Sequence, residues 1–131
     1  HNEFVGNYYG TPREPVERAV ANGQDMVIEV DVNGAAQIRE KMPEAVSIFI
    51  MPPSFAELKR RLSGRGTESE ELIQKRLTSA LGEIKRAAEY DYIVVNKDIA
   101  AAADDIMSVI LSSRLKTDRQ TKIIDEVLSE C

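Results

Sequence analysis

The sequence predicts an α/β protein built on a parallel sheet with flanking helices. Three short apolar runs, at residues 26–31, 46–51 and 92–96, read as buried strands. A helix-start signal and an amphipathic stretch follow each run. Strand, helix, strand, helix, strand, helix is the alternation of a parallel sheet.

Taken in order, residues 4–9 close an extended segment. Thr11 can cap a helix, Pro12 suits its first position and Glu14 completes a capping box. Val16, Ala19 and Val20 give that helix an apolar face, and Gly23 can stop it. The run from Met26 to Asp31 ends in carboxylates. Asn33-Gly34-Ala35 turns into a short helix through Ile38, stopped before Pro43. Pro52-Pro53 closes the second strand. Ser54 and Glu57 form a capping box for a helix with Phe55, Leu58 and Leu62 inward. After the loop Ser63-Gly64-Arg65-Gly66, Thr67 and Glu70 form another box. The long helix that follows has Leu72, Ile73, Leu77, Ala80 and Ile84 as its stripe. Asp98 caps a helix carrying Ile99, Ile106, Val109 and Ile110. A polar break at 112–121 precedes a last helix with Ile123, Ile124, Val127 and Leu128 on one side.

A chain of 131 residues predicts one domain, large enough for a core but with little margin. The net charge of −5 argues against a dedicated nucleic-acid binder, which would show a basic face. A local basic cluster can still hold a small anion. The single cysteine, Cys131, excludes an internal disulfide framework and a multi-Cys zinc site, and fits a reducing cytosol. His1 is the one histidine, which argues against a Ser-His or Cys-His pair. No run approaches the roughly 20 apolar residues of a membrane span. The start His1-Asn2-Glu3-Phe4 has neither an initiator Met nor a leader pattern, so the chain is expected to begin inside something longer.

Four constellations could carry chemistry. Around Ser63-Gly64-Arg65-Gly66, Arg61 and Arg65 stand four apart and share one side if helix spans them. Two guanidiniums beside a Gly-rich turn make a phosphate clamp, and Arg76 on the next helix could close over it. A solvated basic helix face is the alternative. Glu29 and Asp31 lie at the carboxyl end of a strand, where open α/β sheets place ligands. They could accept hydrogen bonds from a base edge or hold Mg²⁺ through water. Alternatively Glu29 caps the backbone of Gly34 or Ala35 and Asp31 pairs with an arginine. In Gly6-Asn7-Tyr8-Tyr9-Gly10-Thr11, a phenol and a hydroxyl beside a helix start could bind an anion, or form a tight turn packed on the core. Asn96 could bond a ligand amide or ring nitrogen, or serve as a turn or cap residue. None of the seven glycines is followed by Lys, so G-x-x-x-x-G-K-[ST], the phosphate-cradling loop, is absent from these residues.

Together these segments resemble the guanylate kinase family. The matches are Gly6-Asn7-Tyr8-Tyr9-Gly10-Thr11-Pro12, Ile28-Glu29-Val30-Asp31-Val32-Asn33-Gly34-Ala35, Ile48-Phe49-Ile50-Met51-Pro52-Pro53-Ser54, Arg61-Leu62-Ser63-Gly64-Arg65-Gly66-Thr67-Glu68-Ser69 and Tyr90-Asp91-Tyr92-Ile93-Val94-Val95-Asn96. Their order and spacing cover most of residues 4–98. The resemblance implies that Tyr9 and Thr11 bond the GMP phosphate. Glu29 and Asp31 would lie on the guanine side and near the reacting phosphates, with Asp31 reaching the base. Arg61, Arg65 and Arg76 would belong to or border a lid and stabilise the transferring phosphoryl group, Arg61 and Arg65 touching ATP as well. Asn96 would sit near adenine. Asn33 and Lys97 depart from many relatives, which have Gln and a second acid there.

The resemblance further implies a P-loop NTPase-like, three-layer parallel sheet, incomplete because the central P-loop strand is absent. That strand would lie between residues 26–31 and 46–51 and leave their backbone groups facing a gap. Re-pairing, a strand borrowed from a partner, or origin from a nicked longer protein would each answer this. One partial domain over residues 1–131 is implied: 1–12 the end of a GMP-binding subdomain, 13–60 core, 61–89 lid and following helix, 90–131 core and C-terminal helices. The implied activity is ATP + GMP to ADP + GDP in the cytoplasm, in purine nucleotide metabolism. ATP and Mg²⁺ are the implied cofactors, with the P-loop part of their site missing and no direct metal ligand assigned in this chain. The fragment alone is expected to be inactive. Implied partners are GMP and ATP, without nucleic acid or membrane, and with self-association or a co-purifying N-terminal piece. A non-catalytic guanylate-kinase-like module that binds a protein is the rival reading.

Overall fold

The computed structural model describes residues 7–8, 11–12, 15, 18, 21, 23, 25–64, 66 and 68–131. The chain divides into two compact units, His1–Ser47 and Ile48–Cys131.

In the first unit, β1 (Asn7–Tyr8) and β2 (Thr11–Pro12) form an antiparallel pair, Asn7 opposite Pro12 and Tyr8 opposite Thr11. This corrects the expected helix start. Thr11 and Pro12 close a hairpin ladder, and the earliest described helical residue is Pro15. Pairing with Tyr8 takes Thr11 before the capping box can act, and a proline is tolerated at the edge of a sheet such as this. Gly23 sits in a turn at φ 79°, as a helix stop should.

Residues 25–31 form no strand among the described residues, which corrects the three-run sheet. A strand exists through its ladder, and this segment has none there. Its apolar residues are used differently. Ile28 and Val30 pack on buried Ile38 together with Met42 and Ala45. Ile38 belongs to α1 (Val32–Lys41), which starts from extended Asp31 and ends as the Met42 N–H bonds the Ile38 carbonyl at 2.7 Å, just before Pro43.

In the second unit, β3 (Ile48–Met51) and β4 (Tyr92–Val95) form a two-stranded parallel sheet, Ile48 opposite Tyr92 and Met51 opposite Val95. The Asn96 N–H extends the ladder to the Met51 carbonyl at 2.8 Å. Between the strands run α2 (Phe55–Ser63) and α3 (Glu70–Lys85), which pack on each other, then a 3₁₀ turn at Arg86–Glu89. Tyr90 meets Phe49 edge-to-face, ring centroids 5.2 Å apart. α4 (Ile99–Ser113) packs on β4, and α5 (Thr121–Leu128) ends the chain. The core is Leu58, Ile73, Leu77, Ala87, Val94 and Ala102.

Several local expectations change here. Ser54 accepts from the Glu57 N–H at 3.0 Å, but the Glu57 side chain turns to arginines instead of closing the box. Phe55 is exposed rather than inward. Ser69 caps α3 through the Leu72 N–H at 3.1 Å, two positions later than the expected Thr67, which lies outside the described residues. Asp98 caps α4 as expected, through the Ala101 N–H at 3.1 Å. The apolar residues of α5 are all exposed. Among the described residues no helix is long and apolar enough to cross a membrane.

Candidate functional site

Parallel strands offer ligands their carboxyl ends. Here β3 and β4 both stop at that edge, at Met51 and Val95, and Asn96 follows. Arg61, in the last turn of α2, reaches this edge and donates from Nη2 to the Asn96 carbonyl at 2.8 Å. It is held from behind as well, by Nε donating to Glu57 Oε2 at 2.9 Å. Arg60 donates to both oxygens of the same carboxylate, from Nε to Oε1 at 2.9 Å and from Nη2 to Oε2. The positions explain the grouping, since 57, 60 and 61 are i, i+3 and i+4 on one helix face. The Arg60 hydrogen bond, opposed by desolvation and joined by the Arg61 bond, holds the Glu57 carboxyl down at about 2. The same bond raises Arg60 above its ordinary value.

Beyond α2 comes the glycine turn. Gly64 has φ 60°, and a Cβ there would stand 2.6 Å from Glu68 Oε1. Left-handed backbone and the carboxylate above it both favour glycine at this position. Because α2 ends at Ser63, helix does not span Arg61 and Arg65. Arg65 lies outside the described residues. Arg76, on α3, forms an ion pair with Glu68. Arg61 and Arg76 are therefore held by different acids at the two sides of the turn.

In the first unit, Asp31 Oδ1 accepts from the Gly34 N–H at 2.8 Å and caps α1. The capping role considered for Glu29 is thus filled by Asp31, because the helix begins at Val32. Glu29 and Asp31 are both exposed. Thr11 lies in β2, and Tyr9 is outside the described residues.

The residues that sequence reasoning missed are the acids, Glu57 and Glu68. The i, i+3, i+4 spacing to two arginines could have pointed to Glu57. Nothing local links Glu68 to Arg76. Among the described residues no group of three or more His, Cys, Asp or Glu could hold a metal ion. An open hollow at the start of α3, lined by Ser69, Leu72, Lys75 and their neighbours, includes none of the expected site residues.

The guanylate kinase family profile matches residues 1–113. The chain is 50% identical over 130 residues to the guanylate kinase of Salmonella typhi, covering 99% of this chain and 63% of that protein. It is 49% identical, with the same coverage, to that of Escherichia coli K12. The crystal structure of guanylate kinase from Anaplasma phagocytophilum superposes with a TM-score of 0.73 at 40% identity, over 91% of this chain and 57% of that one. The chain thus spans under two thirds of the length of these relatives. With a family match over most of its length and half its residues identical to those relatives, this chain belongs to the guanylate kinase family.

Proposed function

We propose that the protein serves the ATP-dependent phosphorylation of GMP to GDP. The observation that carries this reading is Arg61, braced across the carboxyl end of a parallel sheet in a chain of this family. Two of its five N–H groups are committed, to Glu57 and Asn96, which leaves three for phosphate oxygens. Phosphoryl transfer asks mainly for positioning and for cations where charge spreads over the moving group. Arg61, Arg65 and Arg76 would supply that charge, Arg61 and Arg65 also binding ATP. Asn96, its carbonyl taken by Arg61, would offer its amide to adenine. Tyr9 and Thr11 would hold the GMP phosphate, and Glu29 and Asp31 would accept from guanine. No metal ligand is assigned among the described residues, and Mg²⁺ would enter as the counter-ion of ATP. The finer fold that accompanies this reading is a P-loop NTPase-like, three-layer sheet. Residues 1–12 would end the GMP-binding part and residues 61–89 would form the lid and the helix after it. A cytoplasmic setting goes with this substrate pair.

The test is calorimetric titration with GMP of the wild type and Asp31→Asn. Asparagine keeps the capping oxygen, so the fold should melt unchanged. An amide that replaces a charged acceptor should weaken GMP binding by roughly 10-fold or more. Equal affinity would remove Asp31 from the base. AMP and UMP should fail to displace GMP. GMP-dependent ADP formation in a coupled assay with ATP and Mg²⁺ tests the transfer itself. GMP binding without turnover would leave the kinase reading standing, as expected of residues that lack the phosphate-cradling loop.

A further inference from the structure

We propose that Glu57 is a positioning residue that fixes the Arg61 guanidinium across the carboxyl end of the β3–β4 sheet, ready for a polyphosphate. The inference rests on the reading of Arg61 given above.

An arginine side chain is long and loses considerable rotamer freedom when a ligand immobilises it. Arg61 has lost much of that freedom already. Its Nε is bonded to Glu57 on its own helix, and its Nη2 to a carbonyl at the end of β4, 35 residues away in sequence. Two bonds from two elements define the plane of the guanidinium, where one would leave it free to swing. Its side chain is 33% exposed, so the restrained group still reaches solvent.

A carboxylate this close should also weaken an anion site, because it offsets the arginine's charge. Arg60 answers that objection. It bonds both oxygens of Glu57, so the cluster of two cations and one anion keeps a net positive charge. Arg60 is the exposed member at 70%, and Arg61 is the one directed to the strand end. Glu57 can therefore orient Arg61 without cancelling it. An ordinary surface ion pair, by contrast, would contribute little and orient nothing.

Positioning and plain electrostatics predict opposite signs, which makes the proposal testable. ATP binding is measured by calorimetry at low salt, where such charges are least screened, for the wild type, Glu57→Gln, Arg61→Ala and the double variant. Removing a negative charge should tighten ATP binding if Glu57 acts only through its field. Positioning predicts a weakening of about 2- to 10-fold, the scale for ordering one long side chain. It also predicts no further loss from Glu57→Gln once Arg61 is alanine. Tighter binding in Glu57→Gln, or an equal loss in the Arg61→Ala background, would overturn the proposal. NMR relaxation of the Arg61 Nε–Hε group gives a second readout that needs no ligand. It should report an ordered side chain in the wild type and an averaging one in Glu57→Gln, and equal mobility in both would overturn the positioning role. A wild type that binds no ATP, or binds it as well as Arg61→Ala does, overturns the anion reading of Arg61, while the relaxation result still decides what Glu57 does.

Discussion

Residues 26–31 and 92–96 are near twins in sequence and differ in structure. Each is a short apolar run leading to an aspartate that caps the next helix, Asp31 through the Gly34 N–H and Asp98 through the Ala101 N–H. The second run is β4, paired residue for residue with β3. The first has no ladder among the described residues. Two of their valines also differ in burial. Val94 is 3% exposed and Val27 is 78% exposed. Apolar content and a helix signal make a segment competent to be a strand, and only a neighbour makes it one.

The largest expected effect that could break this comparison is in amide exchange. The Asn96 amide, bonded to the Met51 carbonyl, and the Val94 amide two residues earlier on the same side of β4 should exchange roughly 100-fold or more slowly than those of residues 27–30, since ladder bonds open only with larger unfolding events. Equal protection would mean that the first run finds a partner strand in solution. Next comes core truncation. Val94→Ala should cost about 2–3 kcal/mol in urea unfolding, the scale for a buried apolar side chain. Val27→Ala should cost less than about 0.5 kcal/mol, as an exposed side chain does. Similar losses at the two sites would erase the distinction.

The caps sharpen the comparison, because there the two segments are alike. Asp31→Ala and Asp98→Ala should each cost about 1 kcal/mol, and the asparagine variants much less. The smallest effect is in acid and involves no strand pairing. Glu57 is held at about 2, below its ordinary 4.5, first by the Arg60 hydrogen bond. A lowered folded-state value gives a stability contribution that is present above pH 4.5 and lost as pH falls toward 2. The stability difference between wild type and Glu57→Gln should therefore shrink across that window, by a modest amount because the group is exposed. A difference that stays flat through it would mean that the ion pairs do not persist in solution.

What the sequence determined by itself was local or collective. Ser54 and Asp98 were legible as caps because a cap depends on a neighbour three residues on. The helices from Phe55, Glu70 and Ile99 were legible because apolar spacing and start signals agree there. The family was legible because five motifs keep their order and spacing, which the identity to known guanylate kinases bears out. The pairing of Thr11 with Tyr8 is just as local and was hidden only by a competing helix-start signal, whereas tertiary structure alone decided that β4 found β3. It also directed Arg61 to Asn96, put Arg76 on Glu68 and left Phe55 outside the core. A cap or an i, i+4 pair is held together by the helix that contains it, so its signal stays within one turn of sequence. A ladder partner or an arginine's distant acceptor exists only after the intervening chain has closed on itself, and no residue at either end carries a record of that closure.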